Sequence, residues 1–358
     1  MAENKEKKVL NVPNLRFPEF EGEWEKCKVG DVCNTSTGNK NTQDKTDDGI
    51  YPFYVRSQTV ERINSWTFDG EAILTAGDGV GVGKVFHHTY GKIGVHQRVY
   101  ILSDFKCDAN YLFHFFSSKF YNRVKRMSAK NSVDSVRKEM ITDMPLSLPC
   151  CQEQVKIGYM LSILDERIST QNKIIEKLQS LIKGIAHRIS KQDKSNIRLS
   201  ECLQCSSSTL QESDVAEVGS YPVYGANGVV GYLDTYNTTD EAIYIIKDGS
   251  GVGSVSYING KCSATGTLNI LQAKDGFSLR YLYFMLKVFS FEPYKTGMAI
   301  PHIYFKDYGK AKIFCPPYEL QNKYADLLSK IEQKAIAEQK ILDNLCSQKQ
   351  YLLRQVFI

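Results

Sequence analysis

Two glycine-rich phrases, "DGVGVGKV" at Asp78–Val85 and "DGSGVGSV" at Asp248–Val255, lie 170 positions apart in a chain of 358 residues. Glycine loops cradle phosphates where they follow a strand and open a helix, because bare backbone N–H groups then point at the anion. Neither phrase meets that condition. "GVGKV" lacks the hydroxyl residue that a P-loop places on magnesium, and both copies are flanked by strand-like runs on each side. The remaining reading is a sharp bend in β-structure that carries loops toward a partner. "CLQC" at Cys202–Cys205 has half of a zinc spacing, with no second pair to complete a tetrahedron. His87 and His88 are adjacent, which suits a loop better than a metal cage. No nucleophile, base and orienting group stand together, so the sequence points to no catalysis and no metal in this chain.

"CPPY" at Cys315–Tyr318 is the other candidate for chemistry. Amino-group DNA methyltransferases carry Asn or Asp before Pro-Pro-Tyr to hold the target amino group, a hydrogen bond that Cys accepts poorly. The motif reads instead as a helix entry, where Pro is tolerated. No strand–glycine loop–helix unit for AdoMet is evident.

The elements that must position these residues form a repeat. At the same offset as the glycine phrases, "GIYPFY" (Gly49–Tyr54) meets "GSYPVY" (Gly219–Tyr224), and "EAIL" (Glu71–Leu74) meets "EAIY" (Glu241–Tyr244). Further on the offset becomes 167, where Gln154 meets Gln321. Asn259-Gly260 favours a tight hairpin turn. Each half is a strand-rich globular region followed by a helical stretch. The expected segments are 1–150 and 191–316 as globular domains, with 151–190 and 317–358 as long helices.

In the helical stretches the apolar period changes to alternating steps of three and four. The first seam runs through Leu161, Leu164, Ile168, Ile175, Leu178, Ile182 and Ile185. The second runs through Leu328, Ile331, Ala335, Leu342, Leu345 and Leu352. Such narrow seams predict helix-on-helix pairing, and antiparallel pairing would relate the globular regions by a pseudo-twofold axis. Gln171 and Glu338 interrupt the two seams at the same repeat position, a device that fixes register at a cost in stability. The expected fold is therefore α+β: two β-rich domains in pseudo-twofold arrangement, separated by an antiparallel coiled coil.

The composition fits a soluble globular protein, with 42% hydrophobic and 24% charged residues. No membrane span and no apolar leader are visible, which predicts the cytoplasm and reduced cysteines. The net charge of +5 is modest, but seven bases and one acid lie between Lys119 and Lys138.

The combination resembles the specificity subunit of type I restriction-modification enzymes. The resemblance rests on "VPNLRFPEFEGEW" (Val12–Trp24), "MPLSLPCCQEQVKIGYMLSILDERISTQNKIIEKLQSLIKGI" (Met144–Ile185) and "AIPHIYFKDYGKAKIFCPPYELQNKYADLLSKIEQKAIAEQKILDNL" (Ala299–Leu345). It departs at "NSVDSVRKEMI" (Asn131–Ile141), where relatives show Gly-x-Arg-Lys-x-Ile and only Arg137 and Lys138 match.

The resemblance implies a non-catalytic reader of double-stranded DNA with a split target, one target recognition domain for each part. The paired helices would act as a ruler and dock two methyltransferase subunits, which carry AdoMet and methylate adenine at N6. Two motor-nuclease subunits using ATP and Mg²⁺ would complete the complex, with no cofactor in this chain. Phosphate contacts are expected from Lys119, Arg123, Lys125, Arg126, Lys130, Arg137 and Lys138, and from Lys295, Lys306 and Lys310. Base-edge contacts are expected from Lys84, His87, His88, Lys92, Gln97 and Arg98. In the second half they are expected from Tyr224, Asn227, Lys247, Ser250, Lys261, Thr267 and His302. Two alternatives remain: a stand-alone adenine methyltransferase, and a coiled-coil scaffold that does not touch DNA.

Overall fold

The computed structural model describes residues 10–128, 135–249 and 251–358. They form two compact units, Met1–Thr170 with Leu342–Ile358, and Gln171–Ile341. Each unit thus holds a sheet domain and a part of both long helices.

In the first unit, six strands lie in the order 34–37, 99–103, 68–76, 86–95, 51–54, 61–63. All neighbours are antiparallel except Tyr51–Tyr54, which runs parallel to Phe86–Val95. The central strand Phe68–Ala76 is covered on both faces, so its apolar run is nearly continuous. Ile73 packs with Leu112, Phe116 and Phe120 of the helix Ala109–Met127, while Ala72 and Leu74 pack with Val95 and Ile101. That helix starts where the Asp108 carboxylate accepts the Tyr111 N–H at 2.7 Å.

The second unit repeats the plan with its sheet divided. Strands 203–207, 268–273, 242–246 and 255–258 form one sheet, and 228–233, 221–225 and 263–264 form another. The division falls at Asn259-Gly260. The expected hairpin is absent: Gly260 has φ +96°, and the chain leaves Val255–Ile258 for a strand of the other sheet. In the first unit the corresponding strand Phe86–Val95 runs unbroken, with Gly91 opposite Gly70.

Two long helices, Cys151–Ser190 and Tyr318–Val356, carry the domains. "CPPY" is the entry to the second of them, with Cys315 buried. Within each unit the helices touch in antiparallel order. In the first unit Asp165 pairs with Lys349, while Leu161 and Leu164 share a core with Leu352 and Val356. In the second, the Gln171 amide donates to the Glu338 carbonyl at 3.0 Å and to its carboxylate, and the Tyr324 hydroxyl donates to Gln192 at 2.8 Å. Ile175, Ile182, Leu328, Ala335 and Leu342 are buried. Ile168, Leu178, Ile185, Ile331 and Leu345 are half-buried.

Each domain is fastened to its helix by the same pair of bonds. Gln154 accepts from Asp108 N at 2.9 Å and donates to Pro149 O at 2.8 Å; Gln321 accepts from Ser278 N at 2.9 Å and donates to Pro316 O at 2.8 Å. The Tyr111 hydroxyl donates to Ser147 O and the Tyr281 hydroxyl to Phe314 O. The first unit adds a strap: Arg16 grips the fully buried Glu153 with two bonds of 2.8 Å.

His114 is buried where the first domain meets its helix, with Nε2 3.2 Å from Ser162 Oγ and Nδ1 3.7 Å from Asp165. Burial holds its pKa down at about 4; Asp165 opposes this shift, while Lys349 and His88 add to it.

Replacing Gln171 with Leu strands the buried Glu338 side chain without its amide donor, so Q171L is expected to lower the thermal midpoint. The double variant Q171L/E338L restores an apolar seam and is expected to exceed the wild type, as differential scanning calorimetry would show. His114 yields a pH prediction. An unfolded imidazole titrates near ~6.5, so the unfolded chain takes up the proton first, and stability falls as pH drops from there toward about 4. Both tryptophans, Trp24 and Trp66, lie in the first unit, so their fluorescence follows its unfolding in urea. Between pH 7.5 and 5 the wild type is expected to lose about 2 kcal/mol more than His114→Gln; equal losses would refute this role for His114.

Candidate nucleic-acid interface

Both glycine phrases form the turn between two antiparallel strands. The first joins Phe68–Ala76 to Phe86–Val95, and the second joins Ala242–Ile246 to Val255–Ile258. Gly79 (φ +75°) and Gly249 (φ +95°) occupy equivalent left-handed positions, as do Gly83 (φ +66°) and Gly253 (φ +90°). The later pair also lies against an aromatic residue. A Cβ on Gly83 would come within 2.9 Å of the Tyr121 ring, and one on Gly253 within 3.1 Å of Phe291. Val82 and Val252 are the buried plugs of their turns. These features hold the aspartate that opens each phrase in the same place.

The aspartates hold different partners. Asp78 accepts from Arg56 Nη1 at 2.8 Å and lies 3.7 Å from Arg98 Nε. Asp248 lies 2.7 Å from His302 Nδ1. Around the first turn, Thr42, Val55, Arg56, Ser57, Asp78, Gly79 and Val80 line an open cavity of about 410 Å³, and Val80 is 96% exposed. The second turn gathers Lys247, Thr267 and His302: Lys247 N donates to Thr267 O, and Ile303 N donates to Lys247 O.

The other candidates of the first unit are spread more widely. Lys84 is exposed, with its ammonium 5.7 Å from the centre of the Tyr121 ring, and Lys92 lies 5.1 Å over Trp66. Gln97 donates to Asn41 at 2.6 Å. His87 and His88 sit in the strand Phe86–Val95, not in a loop, so they face opposite ways. His87 packs on Tyr54, 3.2 Å from Ser57 O, and burial lowers its pKa; His88 stacks on Phe113 and meets Glu71 at 3.0 Å.

The basic run divides by environment. Lys119 donates to Phe357 O at 3.2 Å and Arg123 to Met140 O at 2.7 Å, and burial lowers the pKa of both. Lys125, Arg126, Arg137 and Lys138 are exposed. Lys119, Arg123 and Arg126 line a cavity of about 450 Å³ with Phe115, Met127, Met144, Pro145 and Ile358. Lys130 and Ser250 lie outside the described residues.

In the second unit Tyr224 packs edge-on against Tyr244, Asn227 is exposed in a turn, and Lys261 lies 4.9 Å over Tyr236. Lys295 pairs with Glu292, Lys310 with Asp307 at 3.9 Å, and Lys306 lies 5.2 Å over Tyr304. Among the described residues no group of three His, Cys, Asp or Glu side chains is placed to hold a metal ion. No helix of the described residues is long and apolar enough to cross a membrane. The sulfur of Cys202 in "CLQC" contacts the backbone carbonyl of Leu199 at 3.4 Å.

Sequence reasoning missed Arg56 and the two aspartates. The "DG" that opens both phrases was the available signal for the aspartates. Arg56 had none, because it stands opposite Ala226 at the repeat offset and reaches Asp78 only through the sheet.

The family model for the type I restriction modification DNA specificity domain matches residues 21–180 and again 192–346. Over 161 residues the chain is 27% identical to the type I restriction enzyme EcoDI specificity subunit of Escherichia coli, covering 45% of this chain and 35% of that protein. Over 199 residues it is 29% identical to the type I restriction enzyme MjaVIII specificity subunit of Methanocaldococcus jannaschii, covering 52% and 45%. The chain therefore spans less than half the length of either relative. The crystal structure of a type I restriction-modification S subunit from M. genitalium has the same fold: TM-score 0.74 at 19% identity, over 97% of this chain and 99% of that one. With two matches to the model that together take in most of its length, the chain belongs to the type I restriction modification DNA specificity domain family.

Proposed function

We propose that this chain is the non-catalytic DNA-reading subunit of a type I restriction-modification complex, in which each unit reads one half of a split target. The observation that supports this most is the duplicated glycine turn. Its backbone is the same in both units, while the side chain held by its aspartate differs: Arg56 and Arg98 in one, His302 in the other. A shared scaffold with different polar groups is what two different half-sites require. Arginine donates bidentately to guanine, whereas a histidine fixed by a carboxylate offers its other nitrogen.

The phosphate-contacting group is proposed to be Lys125, Arg126, Arg137 and Lys138, with Lys306 in the second unit. Lys119 and Arg123 are given mainly to backbone carbonyls. The long helices are proposed to pair along their length as the ruler between half-sites. The bond between Gln171 and Glu338, which share one repeat position, supports antiparallel pairing of the helices in one register. Exposed Val155, Tyr159, Ile174 and Leu181 on the first helix, away from its seam, support docking of the methyltransferase subunits. Those subunits would carry AdoMet and methylate adenine, and motor-nuclease subunits would use ATP and Mg²⁺, in the cytoplasm.

Two measurements test this reading. Arg126→Ala and Arg137→Ala are each expected to weaken binding to every duplex and to lower the slope of log affinity against log salt by about 1. Unchanged binding to a nonspecific duplex would remove them from the phosphate group. The second test maps methylated adenines in cells carrying the complete complex, before and after deletion of 172–178 together with 331–337. Seven residues of helix span about 10 Å, so the gap between half-sites is expected to shorten by about 3 base pairs. A gap that stays the same while methylation persists would reject the ruler.

A further inference from the structure

The segment Thr296–Tyr304 carries apolar residues into solvent on a braced support. Met298 is 106% exposed and Ile300 59%. Thr296 and His302 exchange both backbone hydrogen bonds, at 2.9 and 2.7 Å, which closes a hairpin. Gly297 (φ +87°) makes its bend, and a Cβ there would fall 2.3 Å from Ile300 O. The hairpin is then tied to the glycine turn twice, by Gly249 N to Pro301 O at 3.0 Å and by His302 to Asp248. An exposed apolar pair on a slack loop can fold back onto the protein surface. This pair is held outward.

Ile303 is 1% exposed and anchors the base of the hairpin, while Met298, Ile300 and Tyr304 are all exposed. His302 and Tyr304 stack with their planes 23° apart, and Tyr304 is itself 48% exposed. The surroundings are cationic. Asp248, Glu292 and Asp307 are each matched by a base, His302, Lys295 and Lys310, while among the described residues no carboxylate pairs with Lys247 or Lys306. An apolar tip with aromatic backing and a cationic rim fits the stacked bases and flanking phosphates of a duplex better than a protein surface.

We propose that Met298 and Ile300 form a wedge that enters a base-pair step of the half-site read by the second unit, partly unstacking it. The specificity of that unit then includes the cost of opening the step as well as contacts to base edges, and it favours the pyrimidine–purine steps that open most readily.

This inference rests on the DNA-reading function, and the test separates the two. The full chain is used to select bound duplexes from a random-sequence pool, which defines the split target. Duplexes with 2-aminopurine at each position of that target then report unstacking by fluorescence. The expected result is a rise of about 3-fold at one step on binding the wild type, lost in M298S/I300S. That variant is also expected to bind the target about 10-fold more weakly, to bind the unselected pool within about 2-fold of wild type, and to keep its thermal midpoint. A bound target with no rise at any position overturns the wedge and leaves the reader intact. So does a rise that survives in the variant. Weaker binding by the variant, with no rise in the wild type, would mark the tip as a surface contact and also reject the wedge. If no split target is selected, the DNA-reading function itself fails, and the wedge with it.

Discussion

Everything in each unit depends on one buried amide. Gln154 and Gln321 each bridge the backbone N–H of the residue that caps a domain helix and the proline carbonyl that precedes a long helix. A buried N–H or C=O without a partner costs about 1–3 kcal/mol, and each glutamine satisfies one of both kinds at a junction where neither helix can do so. The tyrosine hydroxyls at Tyr111 and Tyr281 add a second tie across the same junction. Two ties that do not share a side chain fix a direction as well as a distance. The proposed reading of a split target requires that fixed direction, because a domain swinging freely on its helix would accept many spacings.

The long helices show how stability is given up for definition. Buried Gln171 and Glu338 interrupt seams that are otherwise apolar. The carboxylate has its pKa lowered, first by Lys334 and then by the Gln171 amide, so it stays ionised in the seam. An apolar pair would hold the helices with less demand on geometry, but it would tolerate a slip by one heptad. The glutamine–glutamate bond forms in one register only.

Much of this was legible in the sequence because it is written twice. The seams, the glycine turns and the helix entries recur at offsets of 170 or 167, and periodicity identifies each of them without reference to the rest of the chain. What stayed hidden was non-local or one-sided. Arg56 reaches Asp78 because Tyr51–Tyr54 pairs in parallel with Phe86–Val95, a pairing that no local pattern announces. His87 and His88 read as a loop because two polar residues interrupt an apolar run. In a strand adjacent residues face opposite sides of the sheet, so each histidine meets different surroundings: His87 packs on Tyr54 and His88 on Phe113 of the covering helix. Asn259-Gly260 carries a hairpin signature, yet the strands that follow and precede it belong to different sheets. Turn chemistry sets the local bend, whereas the partner of the next strand is chosen by packing.

The two units share the frame of their glycine turns and differ in what the turns hold. Glycines at equivalent positions set the backbone of both turns, and valines at equivalent positions plug both into their cores, so neither can drift without loss of the fold. The aspartate is held in place by this scaffold, but what it grips arrives from elsewhere: Arg56 from the end of one strand, Arg98 from the start of another, His302 from a separate hairpin. Substitution at these incoming positions changes the charge and donor pattern beside the turn and leaves glycines, valine plugs and junction glutamines untouched. The polar surface beside the turn can therefore diverge between the two units while their attachment to the helices stays the same.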